Sequence, residues 1–385
     1  MNGPLQMRRM IAVMALTLGA AGGAAEADQP APAPAPPPGP VATAAEIPKK
    51  IAAGTNGVFQ PGVNLQAWFV YDQTDGDATT PSAITNSFRI RRAEMNAKGE
   101  ILPGMVAYGV VLDLARVREP VNTTIPVTGA AAGETVTVKQ FPAPGSIFQD
   151  VYVTYLTPWA EVSIGQFKVP VSWEGYNSSS KLLFPERALV SSAYGDKRDI
   201  GLKVTKSFKG WSYFAGVYNG ATSNNLDTNN SKDVSLRLEA YPIDGLMLGA
   251  VGYASVGERL APTTRDRWEF DARYERGPFL FQSEYIHARD GGGAGWVEAQ
   301  GAYVAAGYMV TDKLQPVVRV GFLDPDVHKD LDPVADKADE AWDVNVGVNY
   351  YLQKHEAKLQ VAFQRVQYDV KAPLNELIVA AQVSF

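Results

Sequence analysis

The chain of 385 residues contains no cysteine and only three histidines. Without cysteine it cannot form disulfides, thiolate metal sites or a cysteine nucleophile. The histidines, His287, His328 and His355, lie far apart in the sequence and lack the spacing of metal ligands. The sequence therefore predicts no metal site and no cofactor.

Long apolar runs and a surplus of positive charge are also missing. Outside the N-terminal region no stretch of about 18 apolar residues occurs, which argues against a helical membrane protein. The formal net charge is -6, and Lys and Arg do not gather into a basic stripe. Because contacts to phosphates need such a stripe, we expect no nucleic-acid partner.

Two segments at the N-terminus have the composition of export and spacer sequences. In residues 7–27, Arg8 and Arg9 precede a short apolar run and a small-residue cleavage site at 25–27, as in a secretory signal peptide. The following QPAPAPAPPPGP, 29–40, cannot form a helix or a sheet and is expected to be extended. We predict a signal peptide at 1–27 and a proline-rich periplasmic linker at 28–60.

The remainder, 61–385, reads as a succession of strands in which apolar and polar residues alternate. In DVSLRLEA, 233–240, the apolar residues face away from Asp233, Arg237 and Glu239, and a period of two is typical of strands. The same alternation occurs at 63–72, 91–101, 106–114, 148–156, 267–275, 342–350, 357–364 and 375–385. In the last of these segments Phe385 continues the apolar face, which suggests a membrane next to it.

The connections alternate between short and long along the chain. Short turns are predicted at 102–104, 158–159, 208–210, 242–245, 276–278, 311–313 and 353–356. Longer polar loops are predicted at 73–87, 118–146, 169–197, 220–230, 256–265, 290–297, 323–340 and 370–375. About sixteen strands with short turns on one rim and long loops on the other are typical of a bacterial outer-membrane barrel.

We therefore predict an all-β protein, a transmembrane antiparallel β-barrel of about sixteen strands that is integral to the bacterial outer membrane and contacts its lipid. A soluble β-sandwich or propeller also has alternating strands. It gives no reason, however, for loops that are long on one side only, and the chain has no internal repeat that would form blades.

One stretch, 163–220, resembles the phosphate-selective porin O and P family. That family has a G-Q-F-K-x-P-x-S-x-E run after a strand, which this chain matches at Gly165, Gln166, Phe167, Lys168, Pro170, Ser172 and Glu174. Later family elements match Glu186, Arg187, Arg198, Ile200 and Gly201, and the resemblance extends from about residue 60 to the end. It implies a homotrimer of barrels, each with its own pore and a third loop folded inward, and it implies that the outer-membrane insertion machinery reads Phe385.

The charges that line the lumen decide which solutes pass. By alternation the lumen-facing set is Arg92, Glu94, Lys98, Asp113, Asp150, Lys203, Arg237, Glu239, Arg267, Glu269, Asp271, Arg273, Glu284, Arg319, Asp343 and Lys358, which is mixed in sign. Phosphate selectivity in the family rests on a basic cluster near the constriction and on a ladder of arginines. The candidate pore and anion-binding residues here are Arg91, Arg92, Lys181, Arg187, Lys197, Arg198, Arg237 and Arg319.

The loop 169–199 also carries carboxylates, at Glu174, Glu186, Asp196 and Asp199, so its formal charge is near zero. Arg91 and Arg92 match the double arginine of the family, and cross-strand pairing with carboxylates is the alternative role for them. We therefore predict an outer-membrane porin with a water-filled channel for small anionic solutes such as phosphate. A general diffusion porin is the alternative.

Two further classes stay open. SSSK, 178–181, matches the S-x-x-K of penicillin-binding enzymes, but the S-D-N and K-T-G elements that accompany it are missing. Of the histidines, only His287 lies in a predicted strand, and it forms no convincing dyad with a serine. We therefore predict that the chain is not an enzyme; an adhesin or receptor barrel with a blocked lumen is the remaining alternative.

Overall fold

The computed structural model describes residues 51–53, 56–76, 81–116, 121–126, 135–140, 147–257, 264–292, 295–328, 340–369 and 371–385. The predicted signal peptide, 1–27, and most of the predicted linker, 28–60, lie outside these residues. The first long strand begins at Gly57, slightly before the position at which the sequence predicts the barrel to begin.

Sixteen of the described strands form one closed antiparallel barrel, as predicted. They are β2 (Gly57–Thr74), β3 (Ala83–Leu102), β4 (Val106–Asp113), β7 (Phe148–Leu156), β8 (Glu161–Lys168), β9 (Arg198–Phe208), β10 (Trp211–Tyr218), β11 (Lys232–Ala240), β12 (Leu246–Val256), β13 (Arg265–Arg276), β14 (Phe279–Gly292), β15 (Gly295–Tyr308), β16 (Leu314–Asp324), β17 (Ala341–Gln353), β18 (Ala357–Tyr368) and β19 (Leu374–Ser384). Consecutive barrel strands pair with each other, and β19 pairs with β2 to close the wall. Closure leaves no sheet edge in the membrane, where unpaired backbone groups would be costly.

Three short strands lie outside the wall. Strand β1 (Ile51–Ala53) pairs with the start of β2, and β5 (Val121–Pro126) pairs with β6 (Thr135–Gln140) in a separate hairpin. That hairpin occupies the segment predicted as the long loop 118–146. Among the described residues no helix is long and apolar enough to cross a membrane.

Alternation divides each strand between the two faces of the wall. In β18, Leu359, Val361 and Phe363 are exposed on the outside, whereas Lys358 and Gln360 are buried in the interior. In β19, Val379, Ala381 and Val383 are exposed in the same way. Apolar residues thus face lipid and polar residues face the lumen, as in outer-membrane barrels.

The connections confirm the predicted difference between the two rims, with two corrections: β3 already begins at Ala83, inside the loop predicted at 73–87, and the loop predicted at 290–297 is mostly strand. Two-residue turns join β9 to β10 and β13 to β14, and Gly210 and Gly277 in them have positive φ, of 94° and 58°, which suits tight hairpins. The loop predicted at 290–297 is wrong, because β14 continues to Gly292 and β15 begins at Gly295, so the hairpin extends through most of it. Alternation marks strand faces but does not show where a strand ends beyond the membrane.

Aromatic rings gather at the rim of short turns. Trp159 is 80% exposed there, and Phe208 stacks on Trp211 with ring centroids 4.4 Å apart. At the same rim Phe385 is exposed, and its backbone pairs with Val63 through two hydrogen bonds of 3.0 Å. Such amphipathic rings are typical of the boundary between a membrane and water.

Candidate functional site

The third long loop, 169–197, crosses the lumen; we call it the constriction loop. It leaves the wall after β8 and returns at β9, and it contains a short helix (Trp173–Tyr176), a 3-10 turn (Ser179–Lys181) and a π-helical turn (Ser191–Gly195). Most of its residues are buried, although the loop only connects two neighbouring strands of the wall, β8 and β9. The loop therefore packs inside the barrel, as the resemblance implies.

Polar side chains on the inner wall fasten the middle of the constriction loop by its backbone. Lys358 donates to the carbonyl of Leu182 at 2.7 Å, and Asn349 donates to that of Leu183 at 2.9 Å. Gln360 and Gln382 donate in the same way, to the carbonyls of Leu183 and Ser180. Because each of these carbonyls is out of water, its hydrogen bond to the wall is needed to offset the cost of burial.

Glu284 on β14 holds both ends of the constriction loop at once. Its carboxylate accepts from the Ser172 hydroxyl at 2.5 Å, from the Glu174 backbone N–H at 2.7 Å and from the Ser191 hydroxyl at 3.2 Å. On the wall side it accepts from the Tyr303 hydroxyl at 2.9 Å. Ser172 also caps the short helix by accepting from the Gly175 N–H.

Apolar packing completes the attachment. Loop residues Leu183, Phe184, Ala188 and Val190 are buried against an apolar patch of the inner wall formed by Ile286, Tyr303, Ala305, Val317 and Ala362. Without the loop this apolar patch would be exposed to the water of an otherwise polar lumen. The constriction loop is therefore a fixed part of the channel rather than a free lid.

A group of cations gathers where the constriction loop returns to the wall. Asp196 pairs with Arg187 at 2.9 Å and lies 3.4 Å from the ammonium of Lys168 and 4.0 Å from the guanidinium of Arg198. Arg198 also pairs with Asp150 at 2.7 Å. Burial alone would raise the pKa of Asp196, but these three cations outweigh it and hold the pKa well below its ordinary value.

Arg91 and Arg92 join this group from β3. Gln66 of β2 pairs with Arg92 and the next residue, Ala67, pairs with Ile90, so Arg91 is an extra residue in a β-bulge. Both arginines consequently face the lumen, and both reach Glu186 of the constriction loop, at 2.5 Å and 3.8 Å. We name Arg91, Arg92, Lys168, Arg187 and Arg198 the basic cluster.

The predicted site residues thus divide into groups. The structure brings Arg91, Arg92, Arg187 and Arg198 together, whereas Lys181 and Lys197 are exposed elsewhere on the constriction loop. Arg319 lies across the lumen, where it donates to the carbonyls of Glu186 and Arg187 and positions the loop. Arg237 lies on β11 in a buried network with Glu239, Glu269 and Asp271.

Two further cations beside this site were not predicted from the sequence. Lys168 belongs to the family motif, yet alternation did not assign it to the pore, and Arg89 belongs to the face that the bulge turns inward. Trp68 is buried, with Arg89 and Arg91 over its ring at 5.4 and 5.5 Å. The spacing of Arg89 and Arg91, two residues apart beside Arg92, is the signal that could have indicated the bulge.

Comparisons with known proteins agree with this geometry. The profile of the family "phosphate-selective porin O and P" matches residues 60–265 and 250–383. A comparison with curated protein sequences found no match. Together the two matched ranges span nearly the whole described barrel.

Solved structures with the same fold are outer-membrane porins. The channel DcaP of Acinetobacter baumannii is similar with a TM-score of 0.58 at 13% identity, over 87% of this chain and 99% of that one. OmpT of Vibrio cholerae, in a trimer form, has a TM-score of 0.58 at 12% identity, over 86% and 100%. An anion-selective porin from Comamonas acidovorans has a TM-score of 0.55 at 14% identity, over 86% and 100%.

The family and the fold indicate a channel rather than an enzyme. A closed wall with lipid-facing apolar residues, a polar lumen and a loop fixed across it provides the parts that a diffusion channel needs. The chain belongs to the phosphate-selective porin O and P family and is an integral channel protein of the bacterial outer membrane.

Proposed function

We propose that the channel passes small solutes with a preference for anions, inorganic phosphate included, and that the basic cluster sets this preference. The observation that carries the proposal is the imbalance of charge where the constriction loop meets β3 and β9. There the five cations of the basic cluster have only three carboxylates within ion-pair distance, Glu186, Asp196 and Asp150. Basic residues around a constriction favour anions.

Water reaches part of this cluster. The side chain of Arg91 is 36% exposed and that of Glu186 is 28% exposed, although both lie inside the barrel. A guanidinium that faces water in a lumen can exchange its carboxylate partner for a passing oxyanion, which offers similar oxygen geometry. Arg91 is therefore the residue that contacts the anion first.

A channel without marked selectivity is the second candidate. It is favoured by the pairing of the guanidinium groups, since Arg91, Arg187 and Arg198 each already have a carboxylate partner within 3 Å. A nearby carboxylate cancels much of the field of a cation at the distances found in a pore. The anion preference we propose is accordingly mild.

The proposal extends to assembly. OmpT of Vibrio cholerae is described in a trimer form, and we expect this chain to form a homotrimer surrounded by outer-membrane lipid. The exposed Phe385 at the rim of short turns would be the signal for the insertion machinery. Phe385→Ala should then lower the amount of barrel assembled in the membrane, while refolding of the purified chain in detergent stays unchanged.

The experiment that tests selectivity is a titration of phosphate into chloride during single-channel recording of the refolded protein. Phosphate should reduce the chloride current, and Arg91→Gln should weaken that reduction because it removes the exposed cation. Arg276→Gln, which removes an exposed cation at the end of β13, is the matched control and should behave as the unaltered protein. Equal reduction of the chloride current in all three proteins would refute the role of Arg91. Absence of conductance would favour a barrel with a blocked lumen instead.

A further inference from the structure

A cavity opens beside the constriction loop, away from the basic cluster. It has a volume of about 930 Å³ and lies between the short helix of the loop and the inner wall formed by β10 to β13. Residues of the short turns 209–210 and 241–245 line its mouth, so it opens toward the rim of short turns. None of the five cations of the basic cluster is among its described lining residues.

The cavity is lined by aromatic rings from both of its sides. Trp173 and Tyr176 come from the constriction loop, Phe214 comes from β10 and Tyr241 comes from the short turn after β11. Tyr176 and Phe214 meet edge to face, with centroids 5.6 Å apart, which leaves two ring planes at a steep angle to each other. Rings that line a polar lumen provide apolar contact at a place where the rest of the wall offers hydrogen bonds.

An organic cation is not the solute that this cavity suits. The guanidinium of Arg273, which lines the cavity, lies 4.9 Å from the ring centroid of Trp173. The cation site over this indole ring is therefore already taken by a charge of the protein itself. A further cation would meet repulsion from Arg273.

An inorganic anion is not favoured either. Glu239, Asp244 and Glu275 line the cavity, against two cations, Lys209 and Arg273. Arg273 is paired with Glu275 at 2.6 Å, and the hydroxyl of Tyr241 donates to Glu239 at 2.6 Å. Glu239 is also paired with Arg237 at 2.8 Å, so these charges are largely compensated and favour an ion of neither sign, while the same groups offer several hydrogen-bond donors and acceptors close together.

A neutral solute with an apolar ring face and hydroxyl groups around its edge satisfies both conditions. We infer that this cavity is a binding site for a saccharide, whose ring lies on Phe214 and Tyr176 while its hydroxyls bond to Glu239 and Arg273. The channel would then hold two separate sites, one for small anions at the basic cluster and one for a neutral sugar at the rim of short turns. The second site does not depend on the first.

The inference is tested by adding maltotriose to each side of a single channel in turn and recording the current. We expect interruptions of the current that increase with sugar concentration and are stronger from the side on which the short turns lie. Mannitol, a linear polyol, should produce none, because it lacks the ring. Phe214→Ala and Tyr176→Leu should each weaken the block about three- to tenfold, the amount that loss of one aromatic contact predicts.

Phe270→Ala is the matched control, because Phe270 is an aromatic residue on the outer face of the same wall, 57% exposed. Maltotriose should block the current through Phe270→Ala as strongly as it blocks the unaltered channel. Each pocket variant must retain the chloride conductance of a folded channel, which separates a binding defect from a folding defect. If one variant does not fold, the other still tests the inference. Absence of block by maltotriose, a block that neither pocket variant weakens, or stronger block by benzyltrimethylammonium or benzoate would overturn the inference.

Discussion

Arg91 and Arg92 are neighbours in the sequence and yet share one carboxylate in the lumen, because the backbone of β3 bulges at Arg91. In a regular strand one of the two would face lipid, where a charge is costly. Trp68 completes the arrangement, since its ring lies under both Arg89 and Arg91 and limits their rotamers. The bulge and the indole together place three arginines on the lumen side of the wall.

Glu186 is the residue that most directly balances this group. Glu186→Gln removes one negative charge between Arg91 and Arg92 and should raise the ratio of anion to cation permeability about twofold, the size expected for one partly screened charge in a wet lumen. The ratio follows from the reversal potential in a salt gradient. Glu356→Gln, the same change at an exposed short turn, should leave it unchanged, and equal shifts in both variants would contradict the assignment.

The lowered pKa of Asp196 predicts how the charge of this carboxylate depends on pH. A carboxylate whose pKa is lower in the folded than in the unfolded state stabilises the fold fully above its unfolded pKa, and this contribution is lost as the pH falls through the folded pKa. Because the cations beside Asp196 hold its pKa below the ordinary value, it should stay charged from pH 7 down to about 4. The difference in anion selectivity between Asp196→Asn and the unaltered channel should be constant over that range, and a midpoint within it would contradict the ion pairs.

At the scale of the element, the constriction loop depends on a close approach between its two ends. A Cβ added to Gly195 would lie 2.2 Å from the Cβ of Ser172, and one added to Gly175 would lie 2.4 Å from the backbone of Gly195. The short helix and the π-helical turn can therefore meet only with glycine at these places. This contact keeps Ser172 and Ser191 close enough for Glu284 to bind both.

Gly195→Ala should consequently disturb the constriction loop without disturbing the wall. We expect noisier open-channel current and a stability loss of about 1–3 kcal/mol, the usual cost of overpacking. Gly252→Ala is the matched control, because a Cβ added at Gly252 meets nothing within 4 Å. Quiet current and unchanged thermal unfolding in Gly195→Ala would show that the ends of the loop can separate without consequence.

Elements differed in how far the sequence could predict them. Strand β7 was predicted with its observed bounds, 148–156, because its alternation is clean and both of its ends meet turn residues. The hairpin of β14 and β15 was wrongly predicted to end in a long loop, since GGGAG at 291–295 resembles a loop although β14 continues to Gly292 and β15 begins at Gly295. The bulge at Arg91 was not predicted, because a single extra residue leaves the average period unchanged.

At the scale of the whole molecule, closure of the barrel converts a repeated local pattern into a lumen. The sequence predicted the number of strands and the identity of the lumen-facing charges, such as Glu284 and Arg319, since both follow from alternation. It could not predict that Arg319 holds the loop while Arg198 joins the basic cluster. That division depends on the path of the constriction loop across the lumen, which is set by contacts between residues more than a hundred positions apart, such as that of Lys358 with Leu182.

The most direct test of the account is the reversal potential of the purified, refolded channel in a potassium chloride gradient across a planar bilayer. We predict stepwise, ohmic conductance and a reversal potential of the sign that anion selectivity gives, which moves toward zero when Arg91 and Arg198 are both replaced by glutamine. A potential of the cation-selective sign, or one that the double replacement leaves in place, would contradict the assignment of selectivity to the basic cluster.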